Sequence, residues 1–84
     1  MGDEFPNKVV EALTHIVKCM VDFPDDVKVS WTSSGNSVLF ELNVNKDDKG
    51  KVIGRSGKTA SAMRHLLNNM GHKEKRSVHL EIVE

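Results

Sequence analysis

The chain has 84 residues, one cysteine, four aromatic side chains and equal numbers of acidic and basic groups, which gives a formal net charge of zero. This length allows one domain, over residues 1–84, whose thin core favours a binding module, with a dimer plausible, over an enzyme with several catalytic groups. No apolar run approaches the roughly 18 residues of a membrane span, and the acidic start Gly2-Asp3-Glu4 is unlike a signal peptide, so we expect a cytoplasmic protein with no membrane partner.

The first half of the chain predicts a helix followed by a β-hairpin. After Pro6, apolar residues recur at three- and four-residue steps as far as Met20, the pattern of an amphipathic helix. The segment Asp22-Phe23-Pro24 is expected to end this helix, because the residue before a proline avoids helical angles. Cys19 lies in the apolar stripe and is expected to be a buried, reduced thiol. Two alternating runs, residues 27–31 and 38–44, flank the turn at residues 33–36 and predict two paired strands.

The second half predicts two helices and a last strand. Residues 45–53 indicate a short helix, weakened by Gly50, and the loop at residues 54–57 ends it. A stronger helix follows and is expected to close at Gly71 as a glycine stop. Residues 78–82 alternate as a strand, which a helical crossover should place parallel to the second strand. The expected fold is α+β, in the order α-β-β-α-α-β, with a three-stranded mixed sheet and helices packed on one face.

The net charge of zero hides a strong segregation of charge along the chain. Residues 1–45 carry three basic and seven acidic side chains, whereas residues 46–76 carry nine basic and three acidic ones. A basic segment of this kind favours an anionic partner, although a solvated lysine-rich surface is an equally good explanation of the charge alone.

The loop Gly54-Arg55-Ser56-Gly57 lies inside this basic segment and between the two predicted helices. Its glycines allow backbone angles closed to other residues and let a ligand approach the backbone closely. The second helix begins behind the loop, so its unpaired N–H groups and positive dipole end favour a phosphate there. A plain helix–helix turn is the alternative, since the Gly-x-x-Gly spacing is common.

Residues 48–60, DKGKVIGRSGKTA, resemble the signature of KH domains. The predicted element order is similar to the type II, bacterial arrangement of that domain. In size and in residues 50–67, the chain resembles the small single-KH-domain RNA-binding proteins of bacteria, the KhpA/YlqC family.

The resemblance implies an RNA-binding protein, with no enzymatic activity and no cofactor or metal. The KH loop clamps the backbone of about four nucleotides of single-stranded RNA, and the bases face a groove between the helices and the neighbouring strand. It implies a post-transcriptional regulator or RNA chaperone that forms a homodimer or pairs with a larger KH-containing protein. The implied RNA-binding residues comprise the loop, its apolar support, a following lysine and two residues at the groove's edge: Val52, Ile53, Gly54, Arg55, Ser56, Gly57, Lys58, Arg64 and His65. Members often have a second basic residue where this chain has Ser56, which weakens the expected grip on RNA.

Other interpretations of the same residues are weaker. Residues 57–59 match the end of a nucleotide-binding P-loop, but Val52 stands where that motif needs its first glycine. The four histidines lack paired ligand spacing, which argues against a metal site. Asp47 and Asp48 are expected to cap a helix rather than to act as acid and base. Trp31 and Phe40 are expected to pack in the core. The serious alternative is a KH-like protein-interaction or dimerisation module with negligible affinity for RNA.

Overall fold

The computed structural model of the chain describes residues 4–83, so Gly2 and Asp3 of the acidic start and the last residue, Glu84, lie outside the description. Three α-helices and three strands follow the predicted order, and short 3-10 turns join several of them. The helices are α1 (Glu4–Lys18), α2 (Lys49–Ile53) and α3 (Lys58–Lys73), and the strands are β1 (Lys28–Ser34), β2 (Ser37–Asn43) and β3 (Ser77–Ile82).

The three strands form one mixed sheet in the order β1-β2-β3, as the alternating sequence predicted. Strand β2 is antiparallel to β1, through a tight turn, and parallel to β3. Phe40 lies between Trp31 and Leu80 in adjacent strands and is completely buried. The indole of Trp31 is half-buried and donates a hydrogen bond of 3.1 Å to the side-chain oxygen of Asn7. Both aromatic side chains therefore pack rather than stand free for stacking.

One face of the sheet carries all three helices, which confirms the predicted α+β class. Every second residue of β2 and β3 is buried on this face, against apolar side chains of α1, α2 and α3. The buried cluster comprises Val9, Leu13, Val17, Val27, Val38, Phe40, Leu42, Val52, Met63, Leu67, Val78 and Leu80. Among the helices that residues 4–83 form, none has both the length and the apolar content needed to cross a membrane.

Helix α1 ends earlier than the sequence predicted. Its last residue is Lys18, and the N–H groups of Cys19 and Met20 donate to carbonyls three residues back, which tightens the chain into a turn. The segment before Pro24 is thus already outside the helix. The expectation for Cys19 was also wrong, because the turn leaves this thiol exposed. Met20 still packs against the core from the turn.

Helix α3 continues past Gly71, so the predicted glycine stop was wrong. A Cβ atom at this position would lie 2.6 Å from a methyl carbon of Val78 and 2.7 Å from the carbonyl oxygen of Arg76. Gly71 is therefore a contact point that brings α3 close to β3. The chain leaves the helix after Lys73, and Lys75 takes the left-handed conformation, with φ of 58°.

Candidate nucleic-acid interface

The loop Gly54–Gly57 connects α2 to α3, and Gly54 fits only as glycine. Its φ of 80° and ψ of 169° lie in a region that is essentially restricted to glycine. A Cβ atom there would also lie 2.8 Å from the backbone nitrogen of Thr59, with the Thr59 side chain closer still. The absence of a side chain at Gly54 therefore allows the end of α2 to lie against the first turn of α3. The element that leads into the loop is a helix, α2, whereas a P-loop would follow a strand.

The rest of the loop turns sharply and stays open to solvent. Ser56 and Gly57 both have left-handed angles, with φ of 56° and 74°, and the N–H of Gly57 donates to the carbonyl of Gly54 over 3.0 Å. For Ser56 this conformation costs about 1–2 kcal/mol. The N–H of Lys58 donates to the carbonyl of Arg55, and Gly57 has no side chain to cap the N–H groups of the residues that follow in the first turn of α3. The turn thus presents backbone donors at the positive end of a 16-residue helix.

Two basic side chains flank this turn, and a third is held away from it. Arg55 and Lys58 are exposed beside the loop. Lys51, one turn before the loop, forms ion pairs of 3.1 Å with Asp22 and 3.7 Å with Asp48. The hydrogen bond and negative charge of Asp22, together with Asp48, raise the pKa of Lys51 above its ordinary value. The positive charge at the loop therefore comes from Arg55 and Lys58.

A groove runs between α3 and β3, which we call the strand-side groove. It is lined by Arg64 and Asn68 of α3 and by Ser77, His79 and Leu80 of β3. Strand β3 pairs only with β2 among the described strands, so its other edge is open. Ser77 and Val83 donate their N–H groups to the β2 side, and the alternate residues, among them Leu80, turn theirs to the open edge. Arg64 reaches this edge, where its Nε donates to the carbonyl of Leu80 over 3.3 Å.

A second depression lies on the opposite side of α3, which we call the outer depression. It is continuous with the loop and is lined by Ser56, Lys58, Ser61, His65, Leu66 and Asn69. Arg64 and His65, which the sequence placed together at one groove, thus lie in two different ones. Neighbouring residues on a helix point about 100° apart, and here that rotation directs Arg64 towards β3 and His65 away from it.

The apolar pair before the loop is also divided by the structure. Val52 is completely buried in the core, whereas Ile53 is 42% exposed beside Gly54. Val52 can therefore support the loop only from beneath, and Ile53 is the member of the pair that an external ligand can reach. The assignment of all nine residues to RNA remains a prediction.

Three further polar residues were missed in the sequence. Asn68 lies in the strand-side groove, and the cleft that continues it towards the start of β3 adds His72, near the end of α3, and Lys75, which follows the helix. Arg64, Asn68 and His72 are four residues apart along α3. That spacing is the signal of one helix face, and it was available in the sequence.

The two aspartates before α2 do not behave as predicted. Asn45 caps the 3-10 turn Lys46–Asp48, which precedes α2, since its side-chain oxygen accepts from the N–H of Asp47 over 2.9 Å. Asp48 occupies the N-cap position of α2 but makes no capping bond. Its carboxylate is fully buried and accepts instead from the backbone N–H groups of Asp22 and Phe23. Within residues 4–83, no three histidine, cysteine or acidic side chains come together as a metal site would require.

This fold and this loop are those of a KH domain of the bacterial type. Residues 10–82 match the family model described as KhpA/KhpB, KH domain. The chain is 47% identical over 70 residues to RNA-binding protein KhpA of Halalkalibacterium halodurans, a match that covers 83% of this chain and 92% of the relative. It is 47% identical over 73 residues to KhpA of Leifsonia xyli, covering 87% and 93%, and 42% identical over 76 residues to KhpA of Mycobacterium tuberculosis, covering 90% and 91%. The chain therefore belongs to the KhpA/KhpB KH-domain family.

The relatives are named for binding RNA rather than for a reaction, in agreement with the prediction that the chain is not an enzyme. Among solved structures, the chain is similar to Era of Aquifex aeolicus, with a TM-score of 0.54 and 18% identity over 88% of this chain. A structure of Era with a segment of 16S ribosomal RNA gives the same score. The chain spans less than a third of Era, 29% and 28% in the two structures, and at this identity the likeness supports the fold alone.

Proposed function

We propose that this protein binds single-stranded RNA as a single KH domain over residues 1–84. In this proposal the backbone phosphates lie against Gly54–Gly57, where Arg55 and Lys58 supply charge and Ser56 supplies a hydroxyl. The names of the KhpA relatives, which are RNA-binding proteins, support the same partner.

The observation that carries the proposal is the exposed loop at the uncapped start of α3. Three of its four residues have positive φ, which turns the backbone without bulky side chains, and two flanking side chains are cationic. An anion gains from the N–H groups and the helix dipole at such a position. Arg55 and Lys58 repel a cationic ligand, and a neutral ligand gains no charge interaction there, so a phosphate backbone fits this position well.

The bases are expected to lie in the strand-side groove. Arg64 is seven residues beyond Gly57, about 10 Å along the helix, and four stacked nucleotides also span about 10 Å, in three steps of about 3.4 Å. The strand edge at Leu80 and the side chains of Arg64 and Asn68 offer donors and acceptors to base edges. Bases presented this way must be unpaired, because a duplex hides those edges.

The cellular role that fits this chemistry is regulation of RNA after transcription, or RNA chaperoning, in the cytoplasm. Two or three phosphate contacts at one domain give about micromolar affinity and a modest salt dependence. A homodimer, or a pairing with a larger KH-containing protein, would raise the apparent affinity because the second domain binds within the same complex.

Titration of a fluorescent single-stranded RNA, followed by anisotropy at low and moderate salt, tests the proposal. We expect the logarithm of the association constant to fall linearly with the logarithm of the salt concentration, with a slope of about −1.4 to −2. The double substitution Arg55→Asp with Ser56→Asp should abolish binding while the circular dichroism spectrum stays unchanged.

The matched control makes the same change in charge on β1, as Lys28→Asp with Ser34→Asp. Both positions are exposed, and among the described strands β1 pairs with β2 alone, on the far side of the sheet from β3. We expect this control to bind within about threefold of the original protein. Equal binding by the loop variant and the original protein, or a preference for double-stranded RNA, contradicts the proposal.

A second candidate function is a protein-interaction or dimerisation module with negligible affinity for RNA. Exposed apolar side chains on the helical layer favour it, since Ile16, Ile53 and Leu66 are 43%, 42% and 47% exposed. Sedimentation equilibrium of the protein and of an Ile16→Ser, Leu66→Ser variant tests it. A dimer that is lost in the variant, combined with no RNA binding by the original protein, selects this function over the first.

A further inference from the structure

Asp48 is the one charged side chain among residues 4–83 that is completely buried. A buried carboxylate is costly unless it is hydrogen-bonded and paired with an opposite charge. Asp48 meets this condition through the backbone N–H groups of Asp22 and Phe23, at 3.1 and 3.0 Å, and through Lys51 at 3.7 Å. These partners come from two segments that are far apart in the sequence.

The same two segments are joined twice more. The side-chain amide of Asn45 donates to the carboxylate of Asp26 over 2.9 Å, and Lys51 pairs with the carboxylate of Asp22 over 3.1 Å. We call the contacts between residues 22–26 and residues 45–51 the Asp48 network. It fixes the start of α2 to the loop that precedes β1.

Helix α2 needs such a support because it is too short to hold its own position. It has five residues, whereas isolated helices shorter than about 12 residues are marginal in water. Its one fully buried side chain is Val52. The other end of the helix carries Gly54, whose N–H donates back to the carbonyl of Gly50 over 2.8 Å. If the contacts at the start of α2 are lost, the helix and the Gly54–Gly57 loop are therefore expected to move together.

We propose that Asp48 is the positioning residue of the Gly54–Gly57 loop, holding α2 so that the loop is formed before RNA arrives. The inference rests on the proposed RNA-binding function, although its effect on the free protein does not. It also assigns Lys51 to this support rather than to RNA, because its ammonium group already contacts two carboxylates.

The substitution Asp48→Asn tests the proposal because the loss of charge and the loss of positioning predict opposite changes in the affinity for RNA. Removing a negative charge near a basic loop should strengthen RNA binding if charge alone matters. If Asp48 positions the loop, only part of the population keeps a competent loop, and the apparent affinity falls by that fraction. We expect binding about five- to tenfold weaker for Asp48→Asn, with circular dichroism unchanged.

The control is Asp47→Asn, which removes the same charge from the adjacent, exposed residue. We expect this variant to bind RNA equally or slightly more tightly. Binding by Asp48→Asn that is equal to or tighter than that of the original protein overturns the positioning role.

Amide hydrogen exchange in the free protein separates this inference from the proposed function. In Asp48→Asn, the amides of residues 49–58 should exchange at least tenfold faster, while those of β2 and of the middle of α3 keep their rates. This result with no RNA binding by any variant would retain the positioning role and reject RNA as the ligand. Unchanged exchange, or equally faster exchange throughout the molecule, overturns the positioning role.

A further variant covers the case in which Asp48→Asn does not fold. Lys51→Gln keeps the buried carboxylate and its two backbone donors and removes only the ion pairs. Its exchange should accelerate in the same segment, residues 49–58, by about threefold. Unchanged rates there would overturn the proposal without any use of Asp48→Asn.

Discussion

The two sides of α3 begin at the same loop but offer a ligand different surroundings. The strand-side groove is bordered by the open edge of β3, with Arg64 bonded to the carbonyl of Leu80. The outer depression is bordered by the loop and by side chains of α3, among them His65 and Asn69, with none of the described strands beside it. Side chains can attract a strand of RNA on either side, whereas backbone groups of a strand edge are available on only one. In the proposed mode of binding, the loop therefore holds the phosphates and the neighbouring strand determines where the bases lie.

Gly71 sets the width of the strand-side groove, and its substitution should have the largest effect. Gly71→Ala should lower the free energy of unfolding by about 2 kcal/mol, because the new methyl group overpacks against Val78 and the Arg76 carbonyl. Urea unfolding measures this change. The matched control is Gly50→Ala in α2, where a Cβ meets nothing within 4 Å, and it should raise stability by about 0.5–1 kcal/mol. Equal changes in the free energy of unfolding for the two variants would contradict a close contact between α3 and β3 at Gly71.

Substitution of neighbouring residues by glutamate separates the two sides of α3 directly. Arg64→Glu should weaken RNA binding by at least tenfold, or about 1.4 kcal/mol, because it places a carboxylate in the strand-side groove. His65→Glu should weaken binding by about threefold or less, since its side chain lies in the outer depression. Anisotropy titrations at one salt concentration give both values. The reverse order would place the bases on the outer side.

A second pair of substitutions, at two asparagines, compares the two sides of α3 without removing a basic side chain. Asn68 and Asn69 are adjacent and both exposed, yet they lie on opposite sides of α3. Changing either to aspartate keeps the shape and adds one negative charge. We expect Asn68→Asp to weaken binding by about threefold through loss of an amide donor and added repulsion, and Asn69→Asp to change it by less than twofold. Indistinguishable titrations for the two variants would contradict a preference for the strand side.

Ser56 belongs to the shared loop, so a change there should affect binding on either side. Ser56→Lys adds a cation without altering the left-handed backbone angle that Ser56 already has. Binding should tighten by about two- to threefold at low salt, and the salt slope should steepen by about 0.7. The control Ser34→Lys adds the same charge at the exposed hairpin turn and should leave the slope unchanged. Equal slopes for the two lysine variants would show that Ser56 lies away from the phosphates.

Periodicity in the sequence predicted the element order, the strand pairing and the loop, because each depends on neighbours in the chain. The alternation around Phe40 and the glycines at 54 and 57 are local signals of this kind. Two errors arise from contacts that a local pattern does not show. Position 71 is glycine because α3 lies close to Val78, and Asp48 accepts from the N–H groups of Asp22 and Phe23 instead of capping a helix.

The site was predicted in composition more completely than in arrangement. The loop and its flanking cations follow from the motif, but the separation of Arg64 from His65 depends on the rotation of α3 over the sheet. Periodicity shows which residues share a face, as it does for Arg64, Asn68 and His72. Which face meets β3 is fixed by the close contact at Gly71, and a single sequence carries no direct signal of that contact.

Strand β3 completes the groove, and it is the last element to leave the ribosome among those described here. Its pairing joins Ser37 to Ser77 and Leu42 to Ile82, so the sheet waits for nearly the whole domain to be synthesised. A nascent chain therefore exposes the glycine loop before it has the edge at Leu80. Under the proposed function, such a chain attracts phosphates before it can discriminate among bases, and selectivity arrives only when translation of the domain is finished.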